Sequence, residues 1–582
     1  MKATKVSRRG HPVATAAKPL TIAPERSPQL WPAALAMLAA VIAVFYVYGP
    51  AMSGPFLLDD SYLPYRLDNF ANASLSDWMR GLRPLLMLSF WLNFQEVGSA
   101  STGPYHFVNV LLHLLNGGLA FLIVRKVLEW AHVDKSRLNI LASFAAGLFL
   151  LHPLQTESVT YIASRSETLS VFFFLGAFTV FLYRRSVSAS WLIAAFVLLL
   201  FGAACMSKEH AVVLPGLLLL TDYFWNPGFS VRGMRGNWKL YLPIAIGALV
   251  GLAFVGRVLR ASNSAGFNLQ DVTWYQYFFT QCRAFWRYVL LFFFPLGQNI
   301  DHDFPVSKTI ADHGAVIGLV GLLALIAAAW IYRRRFPLIS YGVFVILLLF
   351  APTSSFVPIR DTLVEHRMYL PFIGFLFIAA GLLQFWRPSR STLIGALTVV
   401  LLIAAGLTYQ RNRLYSSAID IWADSVAKSP NKWRPNFQLA YAYYDAQPQQ
   451  CPEAVTQFSK TAKLQKPDYS LLVDWGLAAD CAGNSSEALS KLQQAAGLDK
   501  TAHIYSQIGM EYAKLAQYPQ ALDALDTAAK LDPNFGRTYV YRGNVYALQG
   551  KRAEAVAEYQ HALQIDPADQ YARDNLIKVS QR

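Results

Sequence analysis

Long apolar runs separated by short, mostly basic loops fill the first 410 residues of the chain. A helix needs roughly 20 apolar residues to cross the hydrocarbon core of a bilayer, and shorter runs suit tilted or broken helices packed inside a bundle. The pattern predicts an all-α, polytopic membrane domain over residues 30–409 with about 11 spans. These spans lie near residues 31–49, 107–124, 139–152, 167–182, 190–206, 211–225, 240–258, 313–331, 338–357, 370–386 and 391–409.

The periodicity changes near residue 410, where apolar runs give way to helical hairpins. The segments 502–535 and 536–569 align at the 34-residue period of tetratricopeptide repeats, and a looser unit and one with an insertion precede them. Small residues that let paired helices approach alternate with large residues that fill each hairpin, first Tyr505, Ile508, Gly509, Tyr512, Ala521, Leu525 and Ala528, then Tyr539, Gly543, Tyr546, Ala555, Tyr559 and Ala562. Residues 410–582 are therefore predicted to form an α-solenoid of about four repeats.

Composition and charge agree with a membrane protein. Only 15% of the 582 residues are charged, against roughly 25% in soluble domains. A net charge of +15 on a soluble chain would suggest nucleic-acid binding, but the basic residues fall in short loops between spans, as the positive-inside rule describes. The basic tail 1–29 is predicted to be cytoplasmic, and the charge-free run 27–58 to be a retained first helix, because a clear signal-peptidase site is absent from the sequence.

One apolar stretch is predicted not to cross. Residues 277–297 carry Arg283 and Arg287 one turn apart, and a crossing there would place Arg333–Arg335 opposite the other basic loops. We interpret this stretch as an interfacial or re-entrant helix. Eleven crossings then put the N-terminus inside, and they put the outer loop 50–104 and the repeat array on the same outer side.

Four cysteines show no CxxC spacing, so neither a zinc site nor a redox dithiol is predicted. Cys451 and Cys481 both fall at the turn between the two helices of adjacent repeats. Two interpretations stay open, a disulfide in an oxidising compartment or two unrelated cysteines.

The outer loop begins with an acidic pair, Asp59 and Asp60, at the end of the first apolar helix. Mutual repulsion and partial desolvation raise the pKa of one such carboxylate, which suits a general base towards a hydroxyl. The alternative is a solvated pair at a helix end.

Further polar residues concentrate on the outer side. His106 and His113 share one helical face with Asn109 and Asn116, a pattern typical of the bundle interior. Outer turns also supply carboxylates, histidines and cations that suit a phosphate-bearing substrate, and no metal-ligand spacing accompanies them. These turns carry His152, Glu157, Arg165, Lys208, Glu209, Glu365, His366 and Arg367.

The motifs resemble those of the transmembrane and tetratricopeptide-repeat O-mannosyltransferases, as a bacterial relative. The resemblance runs over about residues 50–570. It is carried by Arg83-Pro84-Leu85, by Tyr105-His106-x-x-Asn109-x-x-x-His113, by His152-Pro153-x-x-Thr156-Glu157, by Ser207-Lys208-Glu209 and by Glu365-His366-Arg367-x-Tyr369-Leu370-Pro371.

The resemblance implies a GT-C membrane domain and an inverting transfer of mannose from a polyprenyl-phosphate donor to Ser or Thr hydroxyls of exported proteins, without a metal ion. It places the catalytic acid in the first outer loop, which corresponds to Asp59, with Asp60 as the alternative. Lys208, Arg165 and Arg367 are the candidates for the donor phosphate. Supporting or acceptor-orienting roles fall to His106, His113, His152, Glu157, Glu209 and Glu365.

Three functions remain to be separated. The first is a protein glycosyltransferase of the bacterial inner membrane, or of the ER membrane in a eukaryote, whose repeats bind the acceptor polypeptide in their groove. The second keeps the lipid-linked donor but transfers the sugar to a glycan or lipid. The third is a non-catalytic membrane scaffold that assembles partners through its repeats.

Overall fold

The computed structural model describes residues 31–66, 73–98, 101–248, 265–267 and 269–581, and the regular structure within these ranges is helical. The predicted all-α class is confirmed. The longer helices of the bundle are Trp31–Tyr48 (α1), Pro84–Val97 (α2), Gly103–Trp130 (α3), Lys135–Leu151 (α4), Arg165–Leu182 (α5), Trp191–Cys205 (α6), Leu214–Trp225 (α7), Trp274–Phe293 (α8), Ala315–Ile331 (α9), Pro337–Phe350 (α10), Phe372–Leu383 (α11) and Arg390–Leu414 (α12).

Within the described ranges, five helical segments are long and apolar enough to cross a bilayer, fewer than the predicted spans. The helices α6, α10 and α11 are apolar but shorter, and α7 has only 12 residues. The predicted span 240–258 is described only as far as residue 248, and the tail 1–29 lies wholly outside the described residues. The five segments are Ala34–Ala51, Gly103–Trp130, Ile162–Leu182, Asp312–Ile331 and Arg390–Leu414.

Two further segments count as a sixth span only if they are taken together across a bend. The segments Lys135–Leu151 and Pro153–Thr160 together are apolar enough to cross, but they meet at an angle of 49°. Proline cannot donate a backbone hydrogen bond, so the helix ends before Pro153. The imidazole Nδ1 of His152 accepts a hydrogen bond from Leu154 N at 3.3 Å, which satisfies a backbone group that the bend leaves free.

Four chain segments meet at one end of the bundle, which we call the polar end. They are the loop 50–66 and the turns 152–164, 206–213 and 351–371. Asp60 accepts a hydrogen bond from Ala163 N at 2.7 Å, and Glu157 accepts one from Glu365 N at 2.9 Å, so residues distant in sequence close this end together.

Helix α8 contacts the polar end of the bundle near its first and its last residues. Near its start, the Tyr277 hydroxyl donates to Thr353 O at 2.6 Å. Near its end, Phe292 O bonds the imidazole of His152 at 3.0 Å. The helix begins and ends earlier than the predicted stretch 277–297, and its interfacial position stays a prediction. Arg283 and Arg287 donate to backbone carbonyl groups of the following loop, including Pro305 and Gly297.

The repeat array consists of paired helices from residue 418 onwards. Its helices are Ala418–Lys428 (α13), Trp433–Asp445 (α14), Cys451–Thr461 (α15), Tyr469–Cys481 (α16), Ser485–Leu498 (α17), Ala502–Lys514 (α18), Tyr518–Leu531 (α19), Gly536–Leu548 (α20), Arg552–Ile565 (α21) and Gln570–Gln581 (α22). A Cβ atom added to Gly509 would lie 2.6 Å from the Leu525 side chain, and one on Gly543 would lie 2.6 Å from Tyr559. The periodic glycines therefore permit the close approach within each hairpin.

The array docks directly on the polar end. Leu57 and Tyr161 share a buried apolar cluster with Trp422 and Leu439 from α13 and α14. Around this cluster, the Arg434 guanidinium bridges two carboxylates, since its Nη2 lies 2.5 Å from Asp301 and 2.8 Å from Asp361. The acidic loop and the array thus lie at the same end of the bundle.

Cys451 and Cys481 form a disulfide with Cα atoms 5.8 Å apart, which settles the alternative left open by the sequence. Replacing both by serine is expected to lower the free energy of unfolding of the array by about 2–4 kcal/mol, because the bond closes a loop of 30 residues in the unfolded chain. Thermal unfolding of the full-length protein measures this loss. Cys205→Ser is the control, because Cys205 has a free thiol. Equal melting of the paired variant and the wild-type protein would contradict the prediction.

Candidate active site

The two aspartates of the acidic pair have different environments. Asp60 is 1% exposed, and its two carboxylate oxygens accept hydrogen bonds from Leu57 N at 2.9 Å and Ala163 N at 2.7 Å. Asp59 is exposed, and its backbone N–H donates to the Tyr161 hydroxyl at 2.8 Å. No described residue hydrogen-bonds the Asp59 carboxylate. Asp60 therefore shapes the loop, while the Asp59 carboxylate is open to a substrate.

Burial raises the pKa of Asp60 to about 7, and the charge of Asp59 adds to the effect although two backbone N–H donors oppose it. The folded protein consequently binds more protons than the unfolded chain between pH 3.8 and about 7, so the contribution of Asp60 to stability falls as pH rises through this window.

Asp60→Asn is expected to lower stability by about 1–3 kcal/mol, because an amide has only one acceptor oxygen and leaves one of the two backbone N–H groups without a partner. The substitution also removes the pH dependence that this carboxylate causes. Thermal unfolding at pH 5 and pH 8 measures both effects. A variant as stable as the wild-type protein with the same pH dependence would rule out this structural role.

Cations and carboxylates lie near Asp59, on a part-exposed surface of the polar end that we call the cleft. Arg83, at the start of α2, makes a two-pronged ion pair with Glu209, with nitrogen–oxygen distances of 2.9 and 2.8 Å. Lys208 bonds the nearly buried carboxylate of Glu167, whose other oxygen lies 3.4 Å from His210 Nδ1. Arg83 lies within electrostatic range of both Glu167 and Asp59. The two ion pairs therefore belong to one polar cleft.

A second group enters this cleft from the turn before α11. The Glu157 carboxylate bonds His366 Nδ1 at 2.7 Å and also accepts hydrogen bonds from the backbone N–H groups of Glu365 and His366, at 2.9 and 3.2 Å. The His366 side chain is 24% exposed. Glu157 thus orients the imidazole, as a supporting residue does.

Arg165 does not fit its predicted role at the donor phosphate. It is fully buried, and its guanidinium donates to Asn109 Oδ1 at 2.9 Å and to Ser89 O and Tyr105 O at 3.1 and 2.9 Å. The ring of Phe90 lies 4.4 Å from its charged carbon. All three nitrogens are used inside the protein, so Arg165 joins α2, α3 and α5.

Arg367 and Glu365 also bond to protein groups. Arg367 is 8% exposed and donates to the Tyr277 hydroxyl at 3.1 Å and to Asp361 O at 2.6 Å. The Glu365 carboxylate accepts from Gln298 Nε2 at 2.7 Å, from Asn299 N at 2.6 Å and from His302 Nε2 at 2.9 Å. This geometry fits folding of the turn better than contact with a phosphate or an acceptor.

The three histidines predicted as supporting residues, His106, His113 and His152, are buried as well. His106 bonds Gly54 O at 3.2 Å, and His152 bonds Phe292 O at 3.0 Å. His113 bonds the Tyr369 hydroxyl at 2.8 Å and Leu150 O at 3.1 Å. These side chains tie neighbouring segments together, and the open cleft is left to Asp59, Arg83, Lys208, Glu209 and His366.

Three cleft residues were not among the predicted site residues. Arg83 belongs to the motif Arg83-Pro84-Leu85, and its place in this motif was the sequence signal that could have identified it as a site residue. Glu167 lies in the first turn of α5, and His366 belongs to a turn already noted for its polarity, but their partners Lys208 and Glu157 are 41 and 209 residues away in sequence. The spacing of residues along the sequence does not reveal contacts between positions so far apart.

Comparisons with known proteins give relatives for both parts of the chain. The family model for the tetratricopeptide repeat matches residues 536–569. The protein O-mannosyl-transferase TMTC3 of Mus musculus is 22% identical over 549 residues, which cover 84% of this chain and 57% of the mouse protein. The protein O-mannosyl-transferase Tmtc1 of Drosophila melanogaster is 35% identical over 189 residues, 32% of this chain and 20% of the fly protein.

A protein O-mannosyl-transferase of Caenorhabditis elegans is 23% identical over 392 residues, 63% of this chain and 51% of the worm protein. Among solved structures, the crystal structure of MamA protein covers 26% of this chain and 81% of its own, at 24% identity and a TM-score of 0.24. The chain spans about half the length of the worm and mouse relatives. The chain is thus homologous to the TMTC protein O-mannosyl-transferases and carries a tetratricopeptide repeat, which confirms the resemblance drawn from its motifs.

Proposed function

We propose that this chain transfers mannose, with inversion, from a polyprenyl-phosphate donor to Ser or Thr hydroxyls of exported proteins. One observation carries the proposal: the exposed carboxylate of Asp59, which no described residue hydrogen-bonds, lies within electrostatic range of Arg83 beside the docked repeat array. The names of the relatives support the sugar and the protein acceptor.

The reaction is a single displacement at the anomeric carbon. The acceptor hydroxyl oxygen forms a bond to this carbon as Asp59 takes the hydroxyl proton, and the bond from the carbon to the phosphate oxygen breaks. The electron pair leaves with the polyprenyl phosphate. Positioned cations stabilise the charge that develops on such a leaving group.

Lys208 and Arg83 are the cations best placed to hold the donor phosphate. Lys208 is 16% exposed and Arg83 is 37% exposed, whereas Arg165 is fully buried. Each of the two has a carboxylate partner that fixes its position, Glu167 for Lys208 and Glu209 for Arg83. This pair of cations supplies the positive charge, so the proposed mechanism requires no metal ion.

The acceptor polypeptide is proposed to bind along the inner face of the array. Tyr444 of α14 lies within electrostatic range of Asp474 and Asp480 of α16 and of Tyr541 of α20. Residues from three different repeats therefore lie close enough to one another to form one binding surface. Burial, with a smaller contribution from Asp468, raises the pKa of Asp474 to about 7. Tyrosines and carboxylates suit hydrogen bonding to an extended chain.

The location proposed for the array is the outer side of the membrane, with the N-terminus in the cytoplasm. The disulfide Cys451–Cys481 supports this side, since disulfides persist in oxidising compartments. The positive charge of the loops at the opposite end supports the same orientation.

A transfer assay tests the proposal. The full-length protein in nanodiscs, given a polyprenyl-phosphate mannose and an exported protein, is expected to add hexose to Ser or Thr residues, as mass spectrometry of peptides detects. Tyr444→Ala with Tyr541→Ala is expected to raise KM for the acceptor by roughly tenfold with little change in kcat. The exposed Tyr62 in the outer loop provides the control variant Tyr62→Ala.

The other functions predict different results. Transfer to a glycan or lipid with unchanged kinetics in the groove variants would favour the second function. If no acceptor class receives sugar while the groove variants lose partner proteins, the chain is a scaffold.

A further inference from the structure

We infer that His366 is a further contact for the donor phosphate, oriented by Glu157. The inference rests on the proposed function, since it assigns a residue to the donor site of that reaction. It starts from the geometry of the turn 365–368, which Glu157 holds through hydrogen bonds.

One buried carboxylate holds both the ring and the backbone of this turn through three hydrogen bonds. Glu157 Oε1 lies 2.7 Å from His366 Nδ1, and Glu157 Oε2 accepts from the backbone N–H groups of Glu365 and His366 at 2.9 and 3.2 Å. Glu157 itself is 4% exposed. A carboxylate on Nδ1 fixes the proton on that nitrogen and directs Nε2 away from Glu157.

The free edge of the ring faces the cleft. His366 has 24% of its side chain exposed and lies within electrostatic range of Glu167, the carboxylate that holds Lys208. Its Nε2 has no hydrogen-bond partner among the residues that the structure describes. The oriented ring therefore keeps its Nε2 available to a ligand, near the ion pair of Lys208 and Glu167.

The backbone of this turn is anchored to the repeat array. Glu365, directly before His366, accepts from Asn299 N at 2.6 Å. The Asn299 side chain in turn donates to Ser429 Oγ at 2.8 Å and accepts from Ser425 Oγ at 2.6 Å. The position of His366 thus depends on contacts from the bundle and from the first helix of the array.

The chemistry of this position favours a phosphate ligand. The imidazolium form of His366 donates Nδ1–H to Glu157 and Nε2–H to a phosphate oxygen, so that the ring lies between two anions. A charge-assisted hydrogen bond of this kind strengthens as the phosphate leaves with the electron pair. No proton or bond is transferred by His366 in this role.

Binding of farnesyl phosphate to the full-length protein tests the inference without any sugar transfer. Asparagine reproduces the Nδ1 side of histidine but not the Nε2 side, whereas glutamine places an N–H group near Nε2. His366→Asn is expected to weaken binding about 10–100-fold, in line with the loss of one hydrogen bond to a charged group, and His366→Gln to restore part of it. Glu157→Gln, which cannot accept all three hydrogen bonds, is expected to weaken binding as well.

Farnesol, which lacks the phosphate, and His132→Gln, an exposed residue beyond α3 at the other end of the bundle, are the controls. Farnesol is expected to bind wild-type protein and all variants equally. The inference is overturned if His366→Asn binds farnesyl phosphate like the wild-type protein. It is also overturned if the variant loses affinity for farnesol as much as for farnesyl phosphate. If His366→Asn weakens the binding of farnesyl phosphate but not of farnesol, and mannose is never transferred, the phosphate contact is supported and the proposed function is wrong.

Discussion

Replacing Asp59 by asparagine is expected to lower the rate of mannosyl transfer by about 10²–10⁴-fold, the usual contribution of a general base. The amide cannot take the proton of the acceptor hydroxyl. The fold should not change, because the hydrogen bond that Asp59 makes to Tyr161 comes from its backbone N–H group, which asparagine keeps. Initial rates with labelled donor, combined with thermal unfolding, measure both properties.

The neighbouring aspartate provides the matched control. Asp60→Asn removes a carboxylate from the same loop, but it is expected to affect stability first, because Asp60 is 1% exposed and bonds two backbone N–H groups. A loss below tenfold for Asp59→Asn, with a far larger loss for Asp60→Asn at unchanged stability, would assign the base to Asp60.

Lys208→Gln is expected to lower kcat/KM by about 10²–10³-fold, because a positioned donor to the developing phosphate charge is lost. The substitution also leaves the Glu167 carboxylate, 5% exposed, without its cation, and an unpaired buried charge destabilises a protein. The double variant Glu167→Gln, Lys208→Gln removes both charges and separates the two effects. It is expected to regain stability and to remain as slow as the single variant.

Lys126→Gln serves as the control, because Lys126 pairs with Glu129 at the other end of the bundle and should not affect transfer. Recovery of activity in the double variant would show that Lys208 acts only by neutralising Glu167. In that case Arg83 would be the remaining candidate for the phosphate.

The sequence predicted most of the architecture because helical periodicity is a local property. The 34-residue period located the repeats that the structure forms from Ala502 to Ile565, and the glycines Gly509 and Gly543 occupy the close contacts that the pattern implies. The bend before Pro153 and the short α11 were less predictable. The length of a helix inside a bundle depends on neighbours that satisfy its free backbone groups, and those neighbours come from distant parts of the chain.

The candidate site was only partly predictable for the same reason. Arg165 and Arg83 are both arginines next to apolar helices, and nothing local separates them. The difference is tertiary, since Ser89, Tyr105 and Asn109 occupy the guanidinium of Arg165, while Arg83 keeps part of its surface in the cleft. Asp59 and Asp60 are likewise adjacent in sequence, and only the position of Ala163 N decides which of them is buried.

The firm docking of the first repeat on the bundle has a consequence for the pattern of modification. Trp422 and Leu439 are buried against the outer loop, and Arg434 joins the array to two other turns, so the groove and Asp59 keep a constant separation. An extended polypeptide covers about 3.3 Å per residue. On the proposed function, we expect modified hydroxyl residues to recur at one fixed offset, counted along the acceptor, from the segment that occupies the groove.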